Sequence, residues 1–351
     1  MARATLIRFL VGGLCLALLL AGGGWLWLAQ LDRERLDRPV PGLQAARIVI
    51  ISPGSSLQAV ARSLAGEGLL EHPQSFVRQA RREELSARIR AGEYRVEPGM
   101  TPRQMLDMFV AGRVFLHAVT LPEGWTFRQA LEAVRGNPNV APSAAGADGQ
   151  SLLEALGLQG RSPEGMLFPD TYLFPRGAND IEILRQARAA LDRELQAAWA
   201  SRQQDLPLDG PYQALILASI IEKETAAPEE RRMIAGVFVN RLRLRMRLQT
   251  DPTVIYGMGD SFDGNLRRAD LTRDTPYNTY TRAGLPPTPI ALAGRESLRA
   301  AVDPMDTEAL YFVATGLGDG RHRFARTLAE HNDNVARYIA TIRGAAHEGP
   351  N

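Results

Sequence analysis

Cysteine is almost missing from this chain: Cys15 is the single one in 351 residues, which excludes an intrachain disulfide and any cysteine-built zinc cluster. Net charge is equally scarce. With 41 basic against 39 acidic side chains the formal charge is only +2, so the overall balance gives no support to nucleic acid as a partner. Charge of either sign is absent from Phe9 to Ala29, and at about 1.5 Å per helical residue such a run crosses the hydrocarbon core of a bilayer. Elsewhere, 45% hydrophobic and 23% charged residues describe an ordinary globular protein, and the length leaves room for two compact domains.

The flanks of the uncharged run suggest its orientation. Arg3 and Arg8 precede it, Trp25 and Trp27 lie near its far end where indole rings settle at headgroups, and Arg33, Arg35 and Arg38 follow closely. Because both flanks are basic, orientation rests on the short leading tail, which makes export of the large carboxyl-terminal body the simpler topology. The expected order is a tail over 1–8, a transmembrane helix over 9–30 and a stalk over 31–45. A cleaved signal peptide fits less well, since Trp27 stands where a small residue is wanted.

A strand–turn–helix plan then recurs three times. Ala46 to Ser52, Tyr94 to Val96 and Val119 to Leu121 read as strands, each followed by a Pro- and Gly-containing turn and a helix, ending at Leu64, Val110 and Val134. Each helix opens with Ser or Thr followed three residues later by Gln (Ser55 and Gln58, Thr101 and Gln104, Thr126 and Gln129), the capping-box spacing. Capped helices alone explain this pattern. The Pro-Gly-x-Ser-Leu and Pro-Gly-Met-Thr turns of the first two units also resemble the strand–helix pieces of LysM modules, which implies binding of N-acetylglucosamine polymers.

Gly136 to Gln150 reads as a loop. Ser162 to Tyr172 reads as an ordered, partly buried one, in which Glu164 is left open as a functional carboxylate and Asp170 is taken as a turn-forming acid. Ile181 to Ala200 is amphipathic, and Pro228-Glu229-Glu230 begins a further helix. Arg241 to Leu248 reads as a helix end passing into a strand with one basic face. Gln249 to Gly257 and Tyr277 to Tyr280 place amides, hydroxyls and rings in turn-rich segments suited to sugars. Leu310 to Thr315 reads as a strand and Asn332 to Arg343 as a closing helix.

The chemistry is expected where an apolar run, Ala214 to Ile221, ends in Glu222-Lys223-Glu224-Thr225. At about 100° per residue Glu224 shares a helix face with Leu217, Ile220 and Ile221, whereas Glu222 faces with Leu215, Ala218 and Ser219. Apolar neighbours and the negative end of the helix dipole both favour a protonated carboxyl. Such an acid can hand a proton to a glycosidic oxygen. For an arbitrary helix end, solvated charges would be the commoner explanation.

The segments Ala218 to Thr225, Asn240-Arg241-Leu242, Arg247 to Gly257, Tyr277 to Tyr280 and Gly284-Leu285-Pro286-Pro287 resemble the bacterial endolytic murein transglycosylase (YceG-like) family. The resemblance implies an α+β architecture: an N-terminal transmembrane helix, a small LysM-like strand–helix subdomain over 46–117, a mixed α+β catalytic domain over 118–345 and a tail over 346–351. It also implies an enzyme of the inner membrane with a periplasmic body, which cuts nascent peptidoglycan strands internally and works beside peptidoglycan synthases. Neither metal nor cofactor is implied. The family's catalytic glutamate falls on Glu224. Asn240, Gln249, Asp251, Tyr277, Tyr280 and Glu164 are candidate substrate contacts. Two alternatives are a two-carboxylate hydrolase pairing Glu224 with Asp251 or Glu164, and a glycan-binding scaffold that cuts nothing.

Overall fold

The computed structural model describes residues 2–143 and 149–347, so part of the 136–150 loop and most of the 346–351 tail lie outside the described residues. The chain divides into two compact units, residues 1–117 with 174–176, and residues 118–173 with 177–351.

The first unit opens with α1 (Ala2–Leu36), followed by β1 (Arg47–Ile51), α2 (Leu57–Gly66), α3 (Pro73–Arg82), β2 (Gly92–Val96) and α4 (Pro102–Ala111). Within α1, Gly12–Leu36 is long and apolar enough to cross a membrane. The helix does not stop where the apolar run does. Its last turns carry Asp32 and Leu36, both fully buried, and Asp32 is held by the Arg78 guanidinium at 2.6 Å and by Arg82, both on α3. β1 and β2 pair antiparallel, Arg47 opposite Val96 and Ile51 opposite Gly92. Their inward residues Val49, Ile51, Tyr94 and Val96 join Leu64, Phe76, Leu106 and Phe109 in one core.

Two helix starts have the expected capping box, at Thr101 with Gln104 and at Thr126 with Gln129. The first copy departs from the plan. Ser56, not Ser55, caps α2 by accepting the Ala59 amide, so Gln58 has no capping part. Helix α3 was not expected; Pro73 at its first position marks its start.

The second unit contains most of β3 (Leu116–Thr120), then α5 (Phe127–Gly136), α6 (Gly149–Ala155), part of β4 (Thr171–Pro175), α7 (Asp180–Ala200), α8 (Pro211–Glu224), α9 (Arg231–Arg243), α10 (Asp251–Met258), α11 (Arg268–Thr272), α12 (Arg295–Val302), β5 (Tyr311–Ala314), β6 (His322–Ala325) and α13 (Leu328–His347). It is mainly helical, with β5 and β6 paired antiparallel, Tyr311 opposite Ala325 and Ala314 opposite His322. Helix α8 is central: every side chain from Ala214 to Ile221 is buried, packed by α7, α9, α10 and α12. Each fully buried Leu or Ile in it contributes about 1.5–3 kcal/mol.

Two expectations are corrected. The chain from Arg241 to Leu248 forms no strand: α9 ends at Arg243, and Arg245 and Gln249 adopt left-handed φ values of 53° and 51°, which a β-ladder excludes. The Gln249 to Gly257 stretch is not turn-rich throughout, because Asp251 and Pro252 start α10 with an acid and a proline in its first turn. Asp170 behaves as a turn acid, its carboxylate accepting the Thr171 amide at 2.7 Å.

Candidate active site

Helix α8 ends at Glu224 because Thr225 is extended, at φ −141° and ψ 137°, and Pro228 follows soon after. The two glutamates before that stop meet different surroundings. Glu222 is committed to structure: it accepts the Gly294 amide at 3.0 Å, at the positive start of α12, and its other oxygen lies 3.6 Å from the Arg231 guanidinium. The wheel argument gave Glu222 the less apolar face, yet its side chain is only 6% exposed, because Arg231 and the α12 start cover it.

Glu224 keeps a partly exposed face on a cleft of about 570 Å³, lined also by Arg241, Leu248, Gln249, Asp251, Tyr280, Tyr311, His322 and His331. Burial pushes its carboxyl up from the ordinary 4.5 to about 7, and the negative charge of Asp251 pushes the same way. Opposing these, the Thr250 hydroxyl donates to Glu224 Oε2 at 3.0 Å, and the Arg241 charge favours the carboxylate. The balance is an acid poised near neutral pH.

The neighbouring motifs hold this arrangement. The buried Thr279 hydroxyl accepts the Thr250 amide at 3.1 Å and lies 2.9 Å from the Thr253 hydroxyl, while its carbonyl accepts the Gln249 amide at 3.2 Å. Asn278, next to it, donates to the carbonyls of Asp270, Leu271 and Arg273 and accepts the Tyr280 amide. The Tyr277 to Tyr280 segment is therefore a bracket that fixes Thr250. Arg241, buried on α9, donates to the carbonyls of Leu310 at 2.6 Å and Leu248 at 2.8 Å, and lies 5.2 Å from the Tyr311 ring. Tyr311 in turn stacks on His331, with ring centroids 5.2 Å apart.

The sequence candidates separate into three groups. Gln249, Asp251 and Tyr280 line the cleft of Glu224, and the Tyr280 hydroxyl donates to Asp251 at 2.6 Å. Glu164 and Tyr277 line a second cleft instead. Glu164 is buried there, accepting the amides of Phe127 at 3.0 Å and Gly165 at 3.1 Å and the Tyr256 hydroxyl at 3.2 Å; burial raises its pKa against those donors. Asn240 lines neither cleft. Its amide donates to the carbonyls of Thr307 at 2.6 Å and Ala309 at 3.3 Å, which ties α9 to the segment before β5.

Residues 49–337 match the YceG-like family, most of the chain. The chain belongs to that family. A Bacillus subtilis protein named endolytic murein transglycosylase is 31% identical over 308 residues, covering 83% of this chain and 84% of its own length. A Streptococcus pneumoniae protein of the same name is 28% identical over 96% of this chain, which spans 65% of that relative's length. A crystal structure of a YceG-like protein from Listeria monocytogenes is 30% identical and covers 82% of this chain and 98% of its own, with a TM-score of 0.49.

The cleft residues Arg241, Tyr311, His322 and His331, and Thr250 that donates to Glu224, were not singled out in the sequence. Two had signals. Arg241 continues the apolar face of Ile234, Val237 and Phe238 at helical spacing, so a cation lands where a core side chain belongs. Thr250 lies inside the Gln-Thr-Asp-Pro-Thr block that carries the family resemblance. Tyr311, His322 and His331 come from distant segments, and no local pattern marks them.

Proposed function

We propose that this protein is an endolytic peptidoglycan lytic transglycosylase with Glu224 as its catalytic acid–base. The observation that carries the reading is a carboxyl raised to about 7 at the end of a buried helix, facing an open cleft, in a chain whose Bacillus relative is named for this activity. In the reaction, Glu224 donates its proton to the bridging oxygen and the C1–O bond breaks. The 6-hydroxyl oxygen of the same muramic acid then bonds to C1, and its proton returns to Glu224. No water is consumed, and the cut strand ends in a 1,6-anhydro ring.

A two-carboxylate hydrolysis would instead engage Asp251, whose charge acts directly on Glu224. The Asp251 carboxylate already accepts the Tyr280 hydroxyl, an arrangement suited to tuning Glu224. Mass spectrometry of products from purified strands separates the two: anhydro ends support the lyase, reducing ends the hydrolase.

Several features go with this reading. The apolar part of α1, expected over 9–30, would anchor the chain in the inner membrane, amino end inside, with the chain that follows it in the periplasm beside peptidoglycan synthases. The order β1–α2–α3–β2 would serve as the LysM-like glycan-binding module. A reporter fused after Asn351 should be active only in the periplasm; a cytoplasmic signal would contradict this topology.

A further inference from the structure

The second cleft, of about 700 Å³, takes no part in the proton transfers described above. Its walls include Pro252, Ile255, Tyr256, Phe262 and Tyr277. It adjoins the Glu224 cleft through consecutive residues: Lys223 faces one and Glu224 the other, Pro252 one and Asp251 the other. The two clefts thus share the end of α8 and the start of α10.

Lys223 has a property that no other residue shares. It is the single lysine of the chain; every other basic side chain among the 41 is arginine. The side chain is exposed, and its Nζ donates to the Gly124 carbonyl at 3.2 Å, which uses one of its three N–H groups. No acid among the described residues pairs with it. The other charged groups of the cleft are engaged. Arg128 makes two bonds to Asp260, at 2.5 and 2.9 Å, and Glu164 is held by two amides and the Tyr256 hydroxyl. The positive charge without an ion-pair partner therefore belongs to a compact ammonium that can only donate, above apolar and aromatic walls. The complementary ligand carries an anionic acceptor on a small, partly apolar arm.

On the function proposed above, the substrate supplies such an arm. Alternate sugars of a murein strand bear a lactyl ether that ends in a carboxylate or continues into a peptide that does. We propose that the second cleft is a subsite for this substituent, with Lys223 pairing its carboxylate and thereby setting which strands are cut.

The test uses the full chain in detergent and four substrates: strands stripped of peptide, which expose the lactyl carboxylate, and peptide-bearing strands, each native and with carboxylates capped as neutral methylamides. Wild type should show a kcat/KM roughly 1.5- to fivefold higher for the native than for the capped form of one strand type, the range expected of an exposed charge pair. The strand type showing it identifies the source of the carboxylate. Lys223→Met and Lys223→Gln should both bring that ratio to about one, the second while keeping a hydrogen-bond donor. Equal cutting of native and capped strands by wild type, or a ratio that survives both substitutions, would overturn the assignment. Failure of wild type to cut any strand would instead sink the transglycosylase reading and this inference with it.

Discussion

The Thr250 hydroxyl donates to Glu224 Oε2 at 3.0 Å, and among the described residues it is the one hydrogen bond that opposes the burial of that carboxyl. Removing it shifts the balance toward the protonated form. With Glu224 acting as acid, kcat/KM should fall as pH rises through about 7. Thr250→Val, close to isosteric, should move this descending limb to higher pH. A limb that stays in place or moves down would show that Thr250 does not stabilise the carboxylate.

Asp251 acts in the opposite sense. Its negative charge raises the Glu224 pKa, so Asp251→Asn should move the limb to lower pH. The pH profile of kcat/KM for the variant checks this, and a limb displaced upward would contradict it. Such a variant should still form anhydro ends if Asp251 tunes rather than attacks.

The two glutamates should separate cleanly. Glu224→Gln removes the transferable proton and should cost about 10²–10⁴-fold in rate. Glu222→Gln should keep most activity while lowering the melting temperature, since it loses the Arg231 pair but retains an acceptor for the Gly294 amide. If Glu222→Gln abolishes cutting in a folded protein and Glu224→Gln does not, the catalytic assignment is reversed.

Stability gives an independent reading of the same group. A carboxyl whose folded pKa is raised favours the folded state fully below its unfolded value, near 4.5, and that contribution is lost as pH rises through about 7. The swing is on the order of 3 kcal/mol. Glu224→Gln should therefore melt higher than wild type at pH 9 and close to it at pH 4. A variant that melts lower than wild type at pH 9 would argue against a strained, buried carboxyl.

These outcomes depend on features with different visibility in the sequence. The burial of Glu224 at the end of α8 was legible because a helix period and an apolar run act over a few residues, so the greasy face and the abrupt acid could be read together. Glu222 was half legible: the wheel separated it from Glu224, but its cover comes from Arg231 and Gly294, residues that only the fold brings near. The strand expected at Arg241 to Leu248 failed because alternation said nothing about two left-handed residues, Arg245 and Gln249. The role of Asn240 was hidden for a similar reason, since its acceptors lie more than sixty residues along the chain. The stack of Tyr311 on His331 arises from packing alone.

Helix α9 offers a purely structural prediction. A Cβ on Gly236 would sit 2.5 Å from the Met305 carbonyl oxygen and 2.8 Å from Thr307 Cγ2, on the same contact that Asn240 secures one turn later. Gly236→Ala should cost about 1–3 kcal/mol through overpacking against backbone that cannot move aside. Chemical denaturation measures it, and an unchanged midpoint would show that the segment yields.

The most direct test of the account is the mass of the products that wild type releases from purified strands. Every cut should leave a 1,6-anhydromuramic acid end, about 18 Da lighter than a hydrolysed end because ring closure by the 6-hydroxyl replaces attack by water. In ¹⁸O-labelled water no label should enter those ends. Reducing ends carrying the label from the first turnover would contradict a single acid–base at Glu224 and place a second carboxylate, with Asp251 the nearest candidate, in the reaction.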